Sequence, residues 1–261
     1  MRMSSDELKL PIPSLGDYVA YHRKRLRLTR EQLGQRAFLS ARTIQKLERG
    51  EQTGLSLPTQ EALGRALGLT TEDEFRHLDD LTRVHISRPW LGEGMRSEAT
   101  AAEQAMLDDL MPRPAAYCNW AWEAIAANEA YERLFPGRLS YGNLMLWLFG
   151  PIGREILVEW ETEARNVVAR MRGILTHFGN PAIGVSVLRA LQDDPDFARI
   201  WLTRSVGFDR GLDEPQHVYT DAGPVSVTMQ LQSFPPGREH LHLCVAVVRP
   251  YVGDFGRTDP I

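Results

Sequence analysis

At 261 residues, the chain exceeds one ordinary small domain and fits two, at about 100–200 residues each. Its 43% apolar and 25% charged content is that of a globular chain rather than a disordered or collagenous one. The longest apolar run, Leu144 to Phe149, falls far short of the roughly 18–20 residues that cross a bilayer, so no membrane insertion is expected. Met1 to Ser14 carries charges and prolines where a signal peptide needs an apolar stretch. With Cys118 and Cys244 the only cysteines, a disulfide framework is excluded and a reducing, cytoplasmic setting is expected. The net charge of −4 hides an asymmetry: residues 1–50 hold 11 Lys/Arg against 5 Asp/Glu, and the remainder holds 19 against 29. A basic head on an acidic body suits a head that meets nucleic acid, with a merely solvated basic face as the alternative.

In chain order, Leu15, Val19, His22 and Leu26 mark one buried face of a first helix that Ser14 caps. Thr29 with Gln32 forms a capping box for a second helix, whose buried face holds Leu33 and Ala37. Ser40 caps a third, with Ile44 and Leu47 inward and Gly50 ending it. Two more helices are predicted over 59–67 and 71–81. Periodicity fades from Val84 to Ala99, where Ser, Pro and Gly accumulate, and a short helix, 101–110, follows. Beyond Pro112 and Pro114 the pattern predicts two short strands within 115–126, with Asn119 near their turn, and a helix over 128–135. A long helix is expected over 151–173, with further helical stretches at 181–191 and 195–205. Alternation of Val225, Val227, Met229 and Leu231 with polar residues, then of Leu241, Leu243, Val245 and Val247 after Pro235-Pro236-Gly237, predicts a hairpin of half-buried strands. The expected class is α+β: an all-α head, then an antiparallel sheet domain with a helical insertion. The expected boundaries are a tail, 1–13; a head, 14–83; a linker with connecting helix, 84–111; the sheet domain, 112–253; and a tail, 254–261.

Two short helices joined by a tight turn, the second rich in side chains able to reach bases, form a helix-turn-helix. From Leu28 through Ser40-Ala41-Arg42-Thr43-Ile44 to Gly50, the chain resembles the phage-repressor-like (Xre, Cro and C1) family over residues 14–68. The resemblance implies a phosphate contact from Arg30 and base-facing places for Ala41, Arg42 and Lys46. Arg42 and Lys46 suit guanine O6 and N7, Ser40 opens the recognition helix, and Thr43 and Gln45 reach a base edge or a phosphate. The turn position that is commonly Gly in that family is Phe38, which must adopt a left-handed conformation at a cost of about 1 kcal/mol or reshape the turn.

Behind this head stand Pro114-Ala115-Ala116-Tyr117, Trp122 and Ala127-Asn128; then Phe149, Arg154, Trp160-Glu161 and Arg172; then Asp196-Phe197, Trp201 and His217. In this order they resemble the MmyB-like transcription regulators over about residues 14–250. The resemblance implies a PAS-like ligand-binding domain, able to take a fatty-acid-like molecule between sheet and helices. Candidates to line an apolar tunnel are Trp122, Met145, Trp147, Phe149, Phe197, Trp201, Met229 and Leu231, each alternatively plain core. A carboxylate head needs a buried cation or donor, for which Arg154, Arg172 and His217 are the candidates unless they pair with Glu155, Glu159 or Glu161.

His240 and His242 lack further ligands at metal spacing, Gly184-Val185-Ser186-Val187-Leu188 lacks the second glycine of a nucleophile elbow, and no phosphate loop or dinucleotide fingerprint is present. No catalytic residue, metal or required cofactor is expected. Cys118 and Cys244 are either a redox pair on neighbouring strands or two reduced core thiols. The functional expectation is a sequence-specific transcription regulator with a double-stranded DNA operator and a lipid-like ligand, working as a homodimer because one recognition helix reads few base pairs and two meet half-sites about 34 Å apart. The alternative is constitutive DNA binding with the lipid as structural core.

Overall fold

The computed structural model describes residues 8–82, 98–179, 182–208, 214–233 and 241–251; residues 84–97 of the expected linker and the expected tail over 254–261 lie outside them. Helices α1 (Leu15–Arg25), α2 (Arg30–Ala37), α3 (Ala41–Glu48), α4 (Leu57–Ala66) and α5 (Glu72–Thr82) form the head. Their capping is as the sequence predicts: Ser14 accepts from the Asp17 N–H, Thr29 and Gln32 close a capping box, and Ser40 accepts from the Thr43 N–H. Val19, Leu33, Ile44, Leu47, Leu63 and Leu67 are fully buried in the head's own core.

In the second domain α6 (Ala101–Asp108) precedes β1 (Ala115–Cys118) and β2 (Ala124–Ala127). Then come α7 (Glu129–Leu134), α8 (Leu144–Phe149), α9 (Pro151–Ile156), α10 (Trp160–His177), α11 (Ala182–Leu191) and α12 (Pro195–Leu202). Strands β3 (Gln216–Thr220), β4 (Gly223–Ser233) and β5 (His242–Pro250) complete an antiparallel sheet of order β2-β1-β5-β4-β3. The architecture is the α+β one expected, with helices as the larger share. No described helix is long and apolar enough to cross a membrane.

Three elements depart from expectation. The single helix predicted over 151–173 is two, because Leu157 turns extended (ψ 119) and bridges to Val218 of β3 before α10 begins. Strand β3 has no apolar alternation to announce it: its one fully buried apolar residue, Val218, is flanked by His217 and Tyr219. The helix assigned to the linker, α6, belongs to the sheet domain. Leu107 is buried with Ala115, Tyr117 and Leu241 on the outer face of the sheet, and its carbonyl accepts from Asn128 Nδ2 at 2.9 Å.

The expected tail is also engaged. Leu10 is buried in the main core of the second domain, with Leu8 and Ile12 against it. Trp201 Nε1 donates to the Pro11 carbonyl at 3.0 Å, and the Lys9 N–H donates to Gln192 at 2.8 Å. Head and second domain therefore meet along a built junction. Helix α5 lies against α10, His177 Nδ1 is 3.1 Å from Asp80, Arg204 pairs with Asp17 at 2.6 Å, and the Tyr21 hydroxyl donates to the Thr203 carbonyl at 3.2 Å.

His22 and His77 are buried beside this junction, both in ring contact with Tyr18, each with an Nδ1 lacking a hydrogen-bond partner among the described residues. Burial, then the charge of Arg25, lowers His22 from the usual imidazole value to about 4. Burial, then the charge of Arg172, lowers His77 to about 3. Both are neutral in the fold at neutral pH, and the unfolded chain takes up protons first as pH falls. The stabilisation is therefore complete above about pH 6.5 and declines as the pH falls from there towards about 4 for His22 and about 3 for His77. Thermal midpoints measured across that window should fall, and the His77→Phe variant should flatten the decline.

Candidate nucleic-acid interface and ligand cavity

The helix-turn-helix depends on close approach of its parts. A Cβ on Gly34 would lie 2.5 Å from the Leu39 carbonyl oxygen, so no larger residue fits without moving the turn. Phe38 adopts the left-handed conformation, φ 56 and ψ 37, with its side chain 89% exposed. The turn is kept and the strain accepted. Glu48, its side chain buried, accepts from Arg23 Nε at 2.5 Å and Arg30 Nε at 2.7 Å. One carboxylate at the end of α3 thereby ties α1 and the start of α2 to the recognition helix.

The side chains expected on DNA divide into three kinds. Arg42 and Lys46 are exposed, and Gln45 and Ala41 half-exposed beside them, on the face of α3 opposite Ile44 and Leu47. Ser40 and Thr43 are engaged locally: their hydroxyls are 2.8 Å apart, and Ser40 caps the helix. Arg30 has its Nε on Glu48, which leaves the terminal guanidinium nitrogens for a phosphate.

In the second domain a cavity of about 120 Å³ opens between the inner face of the sheet and the helices. Among the expected residues it is lined by Trp122, Trp147, Met229 and Leu231. Leu231 is 56% exposed, which puts it at the rim. Trp122 sits in the turn between β1 and β2 with φ 60, held by its N–H donating to the Asn119 carbonyl at 2.9 Å. Met145 instead faces a smaller gap beside Trp122 and Met171.

The remaining expected residues lie elsewhere, for identifiable reasons. Phe149, Phe197 and Trp201 pack on one another, with centroids 5.2 and 5.7 Å apart, and fill the core. Arg154 is held by Asp196 at 2.7 Å and Asp194 at 2.9 Å and lies 4.1 Å from the Trp160 ring centroid; its partners are the aspartates opening α12, not the glutamates near it in sequence. Arg172 is buried at the junction with the head, donating to the Trp201 carbonyl and lying 4.0 Å from that ring's centroid. Burial, then the charge of Arg204, lowers its guanidinium to about 10, so it stays charged. His217 pairs with Ser226 on the outer face of the sheet, and its Nδ1 is 2.9 Å from Glu159. Its neighbours Gln216 and Val218 face inward, because successive side chains alternate across a strand.

Arg138, which no sequence pattern marks, brings a cation to the cavity. It follows Pro136-Gly137, whose Pro carbonyl accepts from Trp147 Nε1 at 2.9 Å, and its guanidinium lies 5.6 Å from the Trp147 ring centroid. Its Nε is buried with no hydrogen-bond partner among the described residues. Tyr131, also lining the cavity, is pushed up by burial and stays a protonated phenol. Glu163, Val167 and Arg170 reach the same cavity from α10. That trio was legible, since positions four and three apart share a helix face; Arg138, alone in a loop, carried no such signal.

Residues 99–253 match the family model of the MmyB-like transcription regulator ligand binding domain, and residues 14–78 match a helix-turn-helix domain. The chain belongs to the MmyB-like transcription regulators. No match to a curated protein was found. In this MmyB-like chain the matched ligand-binding segment begins at residue 99, so it includes α6, in agreement with the packing of that helix on the sheet. Among the described residues no three His, Cys, Asp or Glu side chains gather as a metal site.

The Glu48 tie gives a test of the head. Burial raises its carboxyl, but the hydrogen bonds and charges of Arg23 and Arg30 outweigh burial and leave it below the usual glutamate value. Its contribution is present above that ordinary value and is lost as pH falls below it. Glu48→Gln should destabilise the head by about 2 kcal/mol, the scale of hydrogen bonds to a charged group, and should weaken the acid dependence seen in urea denaturation.

Proposed function

We propose that this regulator binds an operator sequence-specifically as a homodimer, through the exposed face of α3, and that its cavity takes a fatty-acid-like anion. The observation that supports ligand control is the placement of α10. Glu163, Val167 and Arg170 face the cavity, while the same helix lies against α5 of the head and carries His177, beside Asp80. A ligand that prefers one position of α10 therefore prefers one placement of the head, which is the requirement for a ligand to act on DNA binding.

Arg138 supports the anionic class. A buried donor left unmet costs about 1–3 kcal/mol, and a carboxylate meets it. The apolar part of the wall, including Trp147, Leu148, Val227 and Met229, suits a hydrocarbon tail. At about 120 Å³ the cavity is below the roughly 300–1,000 Å³ of ordinary ligand sites. A chain longer than a few carbons therefore extends past Met229 and Leu231 at the rim or displaces them.

Titration of the full chain with laurate should give saturable binding, and Arg138→Met should weaken it about 30-fold, equivalent to about 2 kcal/mol. Arg154→Met and His217→Gln should leave the affinity unchanged; a loss in those two with none at Arg138 would move the anchor. On an operator selected from random duplexes, Arg42→Ala should cost about 1–3 kcal/mol and relax preference at one base pair. Uniform weakening on all sequences would deny the base contact. Operator affinity measured with and without laurate separates ligand control, which changes it, from constitutive binding with a structural lipid, which does not.

A further inference from the structure

Cys118 on β1 and Cys244 on β5 are buried free thiols whose Sγ atoms lie 3.0 Å apart. Cys244 stands opposite Ala116, and Cys118 opposite His242, so the cysteines are diagonal neighbours on the inner face, where side chains reach one another. Both line the cavity, and Arg138 lines it with them. Two thiols in contact, beside a guanidinium and open to a ligand cavity, have more chemistry than two core residues need. We infer that Cys118 and Cys244 are a redox site for an organic hydroperoxide held in the cavity, which oxidises them to a disulfide. The inference rests on the cavity admitting small apolar ligands, as proposed above.

The roles of the two sulfurs differ. The hydrogen bond from Cys244 lowers the Cys118 thiol against the opposing effect of burial, with the charge of Arg138 adding to the lowering, whereas the hydrogen bond and burial together raise Cys244. Cys118 is then the attacking thiolate. Its Sγ bonds to the terminal oxygen of the hydroperoxide, the O–O bond breaks, and the departing alkoxide takes the proton that Cys118 gave up. Cys118 is left as a sulfenic acid, and the hydroperoxide is reduced to its alcohol. Sγ of Cys244 attacks Sγ of Cys118, the S–O bond breaks, and the hydroxyl leaves as water with the Cys244 proton. Two thiols and one hydroperoxide thus give one disulfide, one alcohol and one water. An organic hydroperoxide is favoured over hydrogen peroxide because the wall beyond Arg138 is mostly apolar, and an apolar body leaves water for such a wall. tert-Butyl hydroperoxide is comparable in size to benzene, which a cavity of about 150 Å³ accepts; in this cavity of about 120 Å³ it reaches the rim at Leu231.

The test uses the reduced full chain. tert-Butyl hydroperoxide should remove both titratable thiols, lower the intact mass by two hydrogens, and yield a peptide joining Cys118 to Cys244. It should act about tenfold faster than hydrogen peroxide at equal concentration, because holding the oxidant beside the thiolate raises its effective concentration. In Cys244→Ser the sulfenic acid should persist on Cys118 and be trapped by dimedone; in Cys118→Ser no adduct should form. Thiols that stay reduced, links only between chains, or equal rates with the two oxidants would overturn the inference, and none of these readouts needs a variant to fold. Laurate binding to the same reduced chain separates the two readings: binding with inert thiols removes this inference alone, whereas failure of both removes the cavity reading.

Discussion

Helix α10 has 18 residues and must satisfy two surfaces at once, and the relation between head and second domain depends on how it does so. Toward the sheet it presents Glu163, Val167 and Arg170 at the cavity. Toward the head it approaches α5 and carries His177 beside Asp80, while buried Arg172 lies on Trp201. A charged guanidinium is costly to bury unless hydrogen bonds and an aromatic face replace water; here the Trp201 carbonyl and ring do so for part of it, and Nε has no hydrogen-bond partner among the described residues. Trp201 in turn donates to Pro11, in the segment that leads directly into α1. Arg172, Trp201 and the 8–13 segment therefore tie the second domain to the first helix of the head through a chain of direct contacts.

The exposed face of α3 takes no part in that junction's described contacts. Arg42 and Lys46 project from the side of α3 opposite its buried Ile44 and Leu47. Glu48, with Arg23 and Arg30, ties α3 to α1 and to the start of α2. The histidines beside the junction are held neutral by burial, so they add no buried charge to it at neutral pH.

Alternation across the sheet decides which residues line the cavity. Residues opposite one another share a face, so Val227 with Val248, Met229 with Ala246, and Leu231 with Cys244 turn inward. Ser226, with His217 across from it, turns outward. A one-residue difference in position thus separates His217, at Glu159, from Gln216, at the cavity. The same alternation brings Cys118 and Cys244 to the wall that Arg138 faces.

The sequence by itself determined what depends on local chemistry. The helix caps at Ser14, Thr29 and Ser40, the outward face of α3 and the alternating strands β4 and β5 were legible because each follows from interactions a few residues apart, whereas the choice at Phe38 between a left-handed residue and a reshaped turn was left to the structure. The α+β class and the family followed from the order of such segments. Tertiary structure decided what depends on partners distant in the chain. It gave Arg154 to Asp194 and Asp196, His217 to Glu159, and Arg172 to the junction, and it brought Arg138 to the cavity and residues 8–13 onto the core of the second domain. A charged side chain takes whichever opposite charge or carbonyl the fold brings within about 3 Å, and for these residues the sequence pattern does not encode that distance.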